Sequence, residues 1–258
     1  MTLAARFRRY YQGQEGRRAA RQLAYLVAPM VRQEPQVRFL AIGYPRPLLI
    51  GLKPDRFERI ALLVTEGVPA AYWPHRGDTN CAAAGHADDL PFSGALFDQV
   101  LLVHALEHGN AADILTEVNR VLAPAGDLII LVPNRASLWT NSARTPFGLG
   151  RPYRRSELER LLNAQGFEAQ KWRTALLAAP RRSLNWLNRW PLPLLGGLGG
   201  VHIVLAKKSG GPAAAAVRRR GRARRPLLAP APQVAARAMP LRRPPGWPPR
   251  SRPTTDRP

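Results

Sequence analysis

A chain of 258 residues can bury one substantial core with appendages, and a hydrophobic content of 45% is ordinary for a soluble globular protein. The formal net charge of +22 is not ordinary, and the one cysteine, Cys81, excludes an intramolecular disulfide and points to a reducing, cytoplasmic setting. The N-terminus is studded with arginine and lacks the apolar core of an export signal, although organelle transit peptides share that arginine-rich, acid-poor character; the longest apolar stretch, LPLLGGLGGVHIVLA, is too short and too glycine-rich to cross a bilayer.

In chain order, Leu23, Leu26 and Val27 recur at helical spacing with arginine on the other face, predicting a helix over residues 15–32 that Pro29 interrupts. VRFLAIG (37–43) reads as a strand, followed by a proline-rich turn and a second strand, RIALLVT (59–65). After an irregular region, FDQVLLVH (97–104) is a third strand. Residues 111–123 form an amphipathic helix with Ile114, Leu115, Val118, Val121 and Leu122 on one face. PAG turns the chain into a fourth strand, DLIILVP (127–133). SELERLLNAQG (156–166) is a helix with Ser156 and Glu159 at capping-box spacing and Gly166 as a left-handed stop. FEAQKWRTALL and GGVHIVLAKK close the pattern as strands. Uninterrupted apolar strands separated by helices indicate a parallel sheet covered on both faces, an α/β sandwich.

From Ser209 the composition changes: residues 209–258 hold twelve Arg and one Asp amid proline and alanine, with too little apolar surface for a core. The expected organisation is a domain over 1–208 and a disordered basic tail over 209–258. The arginine clusters at 218–225 and 242–243 suit nucleic acid or an anionic membrane, or form a solvated extension; Trp247 alone is no stacking platform.

VRFLAIG ends in glycine as the first strand of a dinucleotide-type fold does, but the further glycines of that loop are absent. Tyr44, Pro45, Arg46 and Pro47 stand there instead, and proline stiffens the backbone. HALEH (104–108) satisfies the H-x-x-E-H pattern of inverted zinc peptidases. Its first histidine ends a strand rather than sitting on a helix, so no metal is expected.

The block LPFSGALFDQVLLVHALEHGNAADILTEVNRVLAPAGDLIILVPNRASLW resembles the class I S-adenosylmethionine-dependent methyltransferases, in their type 11 branch. LPF before FD and a strand, an LEH-like loop, a helix ending in RVL-P-G and a strand ending in VPN occur in the family's order. TPFGLGRPYRRSELERLLNAQGF continues the match, which spans roughly residues 6–208 and is strongest in 90–167. The resemblance implies a Rossmann-like open sheet, mostly parallel with a C-terminal antiparallel strand, and S-adenosyl-L-methionine as cofactor.

By that resemblance Gly43 and Tyr44 lie at the cofactor's methionine end, and Glu66 at its ribose. His86 stands where an acid near the adenine is common, so Asp88 or Asp89, beside Leu90, would take that place. His104 would face the sulfonium, with Glu107 and His108 toward the acceptor; these three are the catalytic candidates. Asn134, Arg135, Trp139 and Phe147 would line the acceptor pocket or simply pack a loop, and Tyr10 and Tyr11 would form a lid or anchor a helix. Two readings of the departed loop stand: a proline-stiffened working form and a pocket that has lost its cofactor. The first makes the chain a methyltransferase acting on an unidentified acceptor, a small molecule by preference. The second makes it a catalytically silent binding or regulatory module with a basic surface. Nothing in the sequence specifies an oligomeric state.

Overall fold

The computed structural model describes residues 2–65, 73, 80–137, 139–140, 145–176 and 198–209. The chain comprises two units, residues 1–223 and 224–258, and every described residue lies in the first. The strands are β1 (Arg38–Gly43), β2 (Arg59–Val64), β3 (Ala82–Ala84), β4 (Phe97–Val103), β5 (Leu122–Pro133), β6 (Phe167–Ala175) and β7 (Val201–Lys208). They form one sheet in the order β3-β2-β1-β4-β5-β7-β6. Strands β1 to β5 pair in parallel, and β7 runs antiparallel to both β5 and β6. This is the expected open α/β sheet with its antiparallel C-terminal strand. The order reverses between β1 and β4, which makes their carboxyl ends the switch point where such sheets bind ligands.

The central strands are apolar throughout because both faces are covered. Leu40, Ile42, Leu102 and Ile130 pack under α3 (Ala111–Val121) and α4 (Arg155–Ala164). Phe39, Ala41, Leu101 and Ile129 face the other way, toward Leu23 and Val27 of α2 (Gln14–Val27). Between β1 and β2 there is no α-helix, only 3₁₀ turns at Arg46–Leu48 and Pro54–Arg56. Pro45, Pro47 and Pro54 deny that segment its helical hydrogen bonds. The covering layer comes instead from α2, against which Leu48 and Leu49 pack.

The helix expected over 15–32 is α2, and a further helix outside that expectation, α1 (Leu3–Gln12), precedes it and is parted from it at Gly13. Thr2 caps α1 with its Oγ1, which accepts from the Ala5 amide at 3.3 Å. Past Val27, Pro29 sits in a 3₁₀ turn, Ala28–Met30. The edge strand β3 has three alanines, poor strand formers, and carries no strand signal in the sequence. At the PAG turn the ladder bulges rather than ends: Ala125 takes φ 56° and the β4–β5 register shifts between Phe97 and Gln99. The expected cap of α4 is corrected too, because the helix starts at Arg155 and its N-cap, Arg154, makes no side-chain bond. Glu157 in the first turn, held by Arg151 and by Arg135 at 3.5 Å, supplies the negative charge that the helix dipole favours. Gly166 adopts φ 77°, as expected of a left-handed stop.

Two family-like motifs prove to be clamps. Asp98 of the FD pair accepts from Arg38 Nε and Nη2 at 2.9 and 3.0 Å and from the Arg38 amide, stitching β4 to β1. Those hydrogen bonds hold its carboxyl below the usual carboxylate range. Arg120, the arginine of RVL, donates to the carbonyls of Phe92 and Leu90 at 2.7 and 2.9 Å, while Glu117 accepts from the Leu90 amide at 3.1 Å. The LPF segment is thereby seated on α3.

Candidate active site

Gly43 ends β1 with φ 98°, and a Cβ there would stand 2.1 Å from the Val103 carbonyl oxygen. Only glycine permits this approach of the two strand ends. The Tyr44 amide then donates to the same Val103 oxygen at 2.8 Å. The turn after β1 is thus joined to the end of β4, and its first amide is engaged there.

His104 follows β4 directly with φ 52°, a left-handed backbone that a non-glycine residue adopts at a cost. It is 4% exposed and bonded on both sides. Its Nδ1 lies 2.9 Å from Glu107 Oε1, and its Nε2 lies 2.7 Å from the Tyr11 hydroxyl. A carboxylate can only accept, so Nδ1 carries the proton and Nε2 accepts from the Tyr11 O–H, which assigns the tautomer from the network. Phe7 and Phe147 flank the imidazole with ring centroids at 4.8 and 5.2 Å, and Tyr44 stacks on Tyr11 at 5.7 Å. Burial pushes the Tyr11 phenol well above its ordinary value, so it remains a donor.

The loop after β5 clasps this strand end. The Arg151 amide donates to the Glu107 carbonyl at 2.9 Å, and the Tyr153 hydroxyl donates to the Leu106 carbonyl at 3.1 Å. Burial raises Tyr153 to about 12. Among the described residues, Glu107 Oε2 and His108 Nε2 are buried without a hydrogen-bond partner. Burial also lowers His108 from the usual histidine value. His104, Glu107 and His108 each offer one ligand atom within 4.8 Å of the others, so HALEH does gather donors for a cation. Both His104 nitrogens are engaged, however, and a metal would have to displace Tyr11 or Glu107.

The structure thus brings together Gly43, Tyr44, His104, Glu107 and His108. It adds Phe7, which no sequence motif singles out although Ala4, Phe7 and Tyr11 share one helical face. Leu90 is a core residue whose amide goes to Glu117, and Asp88 and Asp89 are exposed beside it. Glu66 lies outside the described residues. Of the acceptor candidates, Phe147 reaches His104, whereas the other three serve the loop. Asn134 donates to the Gly199 carbonyl at 2.7 Å, Arg135 to that of Pro152 at 3.0 Å, and the Trp139 indole to that of Leu176 at 3.0 Å.

In this position of α1 the crevice does not fit S-adenosylmethionine at the methionine end. Phe7 and Tyr11 fill the space above Gly43 and His104, and the Tyr44 amide is already bonded to β4.

Residues 71–130 match the family model described as a methyltransferase domain. An uncharacterized protein of Methanocaldococcus jannaschii is 45% identical over 49 residues, which are 19% of this chain and 22% of that protein. The match therefore spans about a fifth of the relative's length. A SAM-dependent methyltransferase of Thermotoga maritima superposes with a TM-score of 0.56 at 18% identity, covering 79% of this chain and 95% of the other. The [4+2]-cyclase SpnF does so with 0.53 at 22% identity, over 75% and 82%. An S-adenosylmethionine-dependent methyltransferase of Mesorhizobium loti gives 0.50 at 12%, over 71% and 96%. Such identities establish a shared fold, and a cyclase among the neighbours shows that the fold does not dictate one chemistry. Residues 71–130 thus resemble a methyltransferase domain, and the chain shares the fold of these S-adenosylmethionine-dependent methyltransferases.

Proposed function

We propose that the chain is an S-adenosylmethionine-dependent methyltransferase whose crevice lies over the carboxyl ends of β1 and β4 and is covered by α1. One observation carries this reading: the matched segment, residues 71–130, contains β4, the LPF segment and His104, Glu107 and His108, which build the site. The reaction class is direct displacement at the sulfonium methyl, which needs alignment more than acid–base chemistry; alignment is worth on the order of 7–11 kcal/mol. The chain's own contribution is at His104. Glu107 holds its proton on Nδ1 and leaves Nε2 an acceptor, now engaged by Tyr11. Were α1 displaced, Nε2 would be free to take a proton from an acceptor nucleophile.

The closed crevice and the single-glycine turn favour a second reading, a catalytically silent module of the same fold. Calorimetry decides between them, with S-adenosylmethionine and its demethylated product titrated into wild type and into the Phe7→Ala/Tyr11→Ala double variant. The enzyme reading expects dissociation constants of roughly micromolar order, about −8 kcal/mol, tighter in the variant that clears the crevice. Absence of binding by both proteins at millimolar ligand leaves the silent module.

A further inference from the structure

A cavity of about 630 Å³ opens between α1, α2 and the turn after β1, beside the aromatic cluster over His104. Arg8 of α1, Arg17 and Arg21 of α2 and Arg46 of the turn line it, and among the described residues none that lines it is acidic. Three separate elements therefore each contribute exposed arginines to the border of one cavity. Backbone bonds orient two of them: Arg17 Nη1 donates to the Gln12 carbonyl at the end of α1, and Arg21 Nε donates to the Arg17 carbonyl at 3.3 Å. Apart from Gln12 and the two tyrosines the remaining wall is apolar, with Ala4, Ala20, Pro47 and Ile50, the last 66% exposed. Tyr44 contributes a half-buried phenol that feels the charges of Arg46 and Arg8. Tyr11 lines the cavity and also bonds His104, so the cavity and the candidate active site share a wall.

We propose that this cavity binds an organic phosphate, with the phosphate held among the guanidinium groups and an apolar substituent against Pro47 and Ile50. Four neighbouring like charges around one opening favour a multiply charged ligand. One planar carboxylate satisfies one guanidinium fork, whereas the oxygens of a phosphate reach several arginines from different directions. A sulfonium cation is disfavoured in this field, so the cavity is not where the methyl donor's charge would sit. The volume suits a small molecule or a single headgroup. On the methyltransferase reading, on which only this step rests, the phosphate-bearing molecule is the acceptor, delivered beside Tyr11.

The test is calorimetry of the full chain with phenyl phosphate at low ionic strength and without cofactor, so its outcome is independent of S-adenosylmethionine binding. Saturable binding at one site is expected, weakened by about tenfold or more in Arg8→Gln/Arg46→Gln, and unchanged in Arg160→Gln on α4 or Arg218→Gln/Arg219→Gln in the tail. Thermal melting checks that the double variant folds, and Arg21→Gln alone serves if it does not. Co-sedimentation with phosphatidylglycerol vesicles, against phosphatidylcholine, distinguishes the sources. Retention that disappears in the pocket variant identifies a lipid headgroup, and phenyl phosphate binding without retention identifies a soluble phosphate. No saturable binding, or equal weakening by pocket and tail variants, overturns the proposal.

Discussion

Gly43 shows how one residue can look like a cofactor loop while holding two strands together. With φ 98° and a carbonyl oxygen 2.1 Å from the Cβ position, Gly43→Ala combines backbone strain with a backbone clash. A destabilisation of about 3 kcal/mol or more is expected in urea unfolding, far beyond an ordinary surface substitution. Tyr11→Phe is a gentler probe. It removes the hydroxyl that His104 Nε2 accepts from and leaves a buried acceptor unpaired, at a cost of about 1–3 kcal/mol. His202 on β7 contributes acid sensitivity, alongside His108, which burial also lowers. Burial, with Arg155 nearby, lowers His202 to about 4, and its Nε2 is buried without a partner among the described residues. The unfolded chain takes up this proton near pH ~6.5 and the folded chain only near 4, so stability falls as pH drops through that window. The loss approaches about 3 kcal/mol at the lower end, and His202→Leu is expected to flatten that part of the melting-temperature profile.

At the scale of elements, α1 touches the site through few buried side chains. It buries only Ala4, Phe7 and Tyr11, and it crosses α2 closely because Gly16 leaves room for the Tyr10 carbonyl, 2.1 Å from where a Cβ would be. Hydrogen exchange of residues 3–12 is therefore expected to be faster than that of β1 and β4, and S-adenosylmethionine is expected to alter it if α1 is the cover. Equal protection of α1 and the central strands would remove that role. The α3 clamp behaves differently. Arg120 donates to two carbonyls of the LPF segment and pairs with Glu117 at 2.7 Å. Arg120→Ala strips those partners at once, and a loss of about 2–4 kcal/mol is expected in urea unfolding.

For the whole molecule, charge is the dominant quantity. Deleting residues 210–258 lowers the formal charge from +22 to +11 and keeps Ser209, whose amide donates to the Gly166 carbonyl at 2.9 Å. Association with polyanions is expected to weaken, with the log–log salt slope flattening by roughly one unit for each phosphate that the tail no longer neutralises. Phenyl phosphate binding at the arginine cavity is expected to survive, because its arginines lie in α1, α2 and the turn after β1. Loss of that binding on truncation would transfer the anion site to the tail. Among the described residues no helix is long and apolar enough to cross a membrane.

The sequence by itself determined the sheet, because uninterrupted apolar strands such as FDQVLLV and DLIILVP need cover on both faces and the motif order resembles a known fold. It also located the residues after β4 that build the candidate site. It could not reveal β3, whose alanines carry little strand signal, nor the role of α1, whose amphipathic face has meaning only against its target. Local pattern encodes periodicity, whereas function here depends on groups distant in the chain. Tyr11 and His104 are 93 residues apart and meet at 2.7 Å. Arg8 and Arg46 reach one cavity from different elements. Only tertiary packing decided that Gly43 serves β4, that Asp98 and Arg120 are clamps, and that α1 packs against His104. Each of these depends on the close approach of backbones and side chains, which sequence spacing does not record.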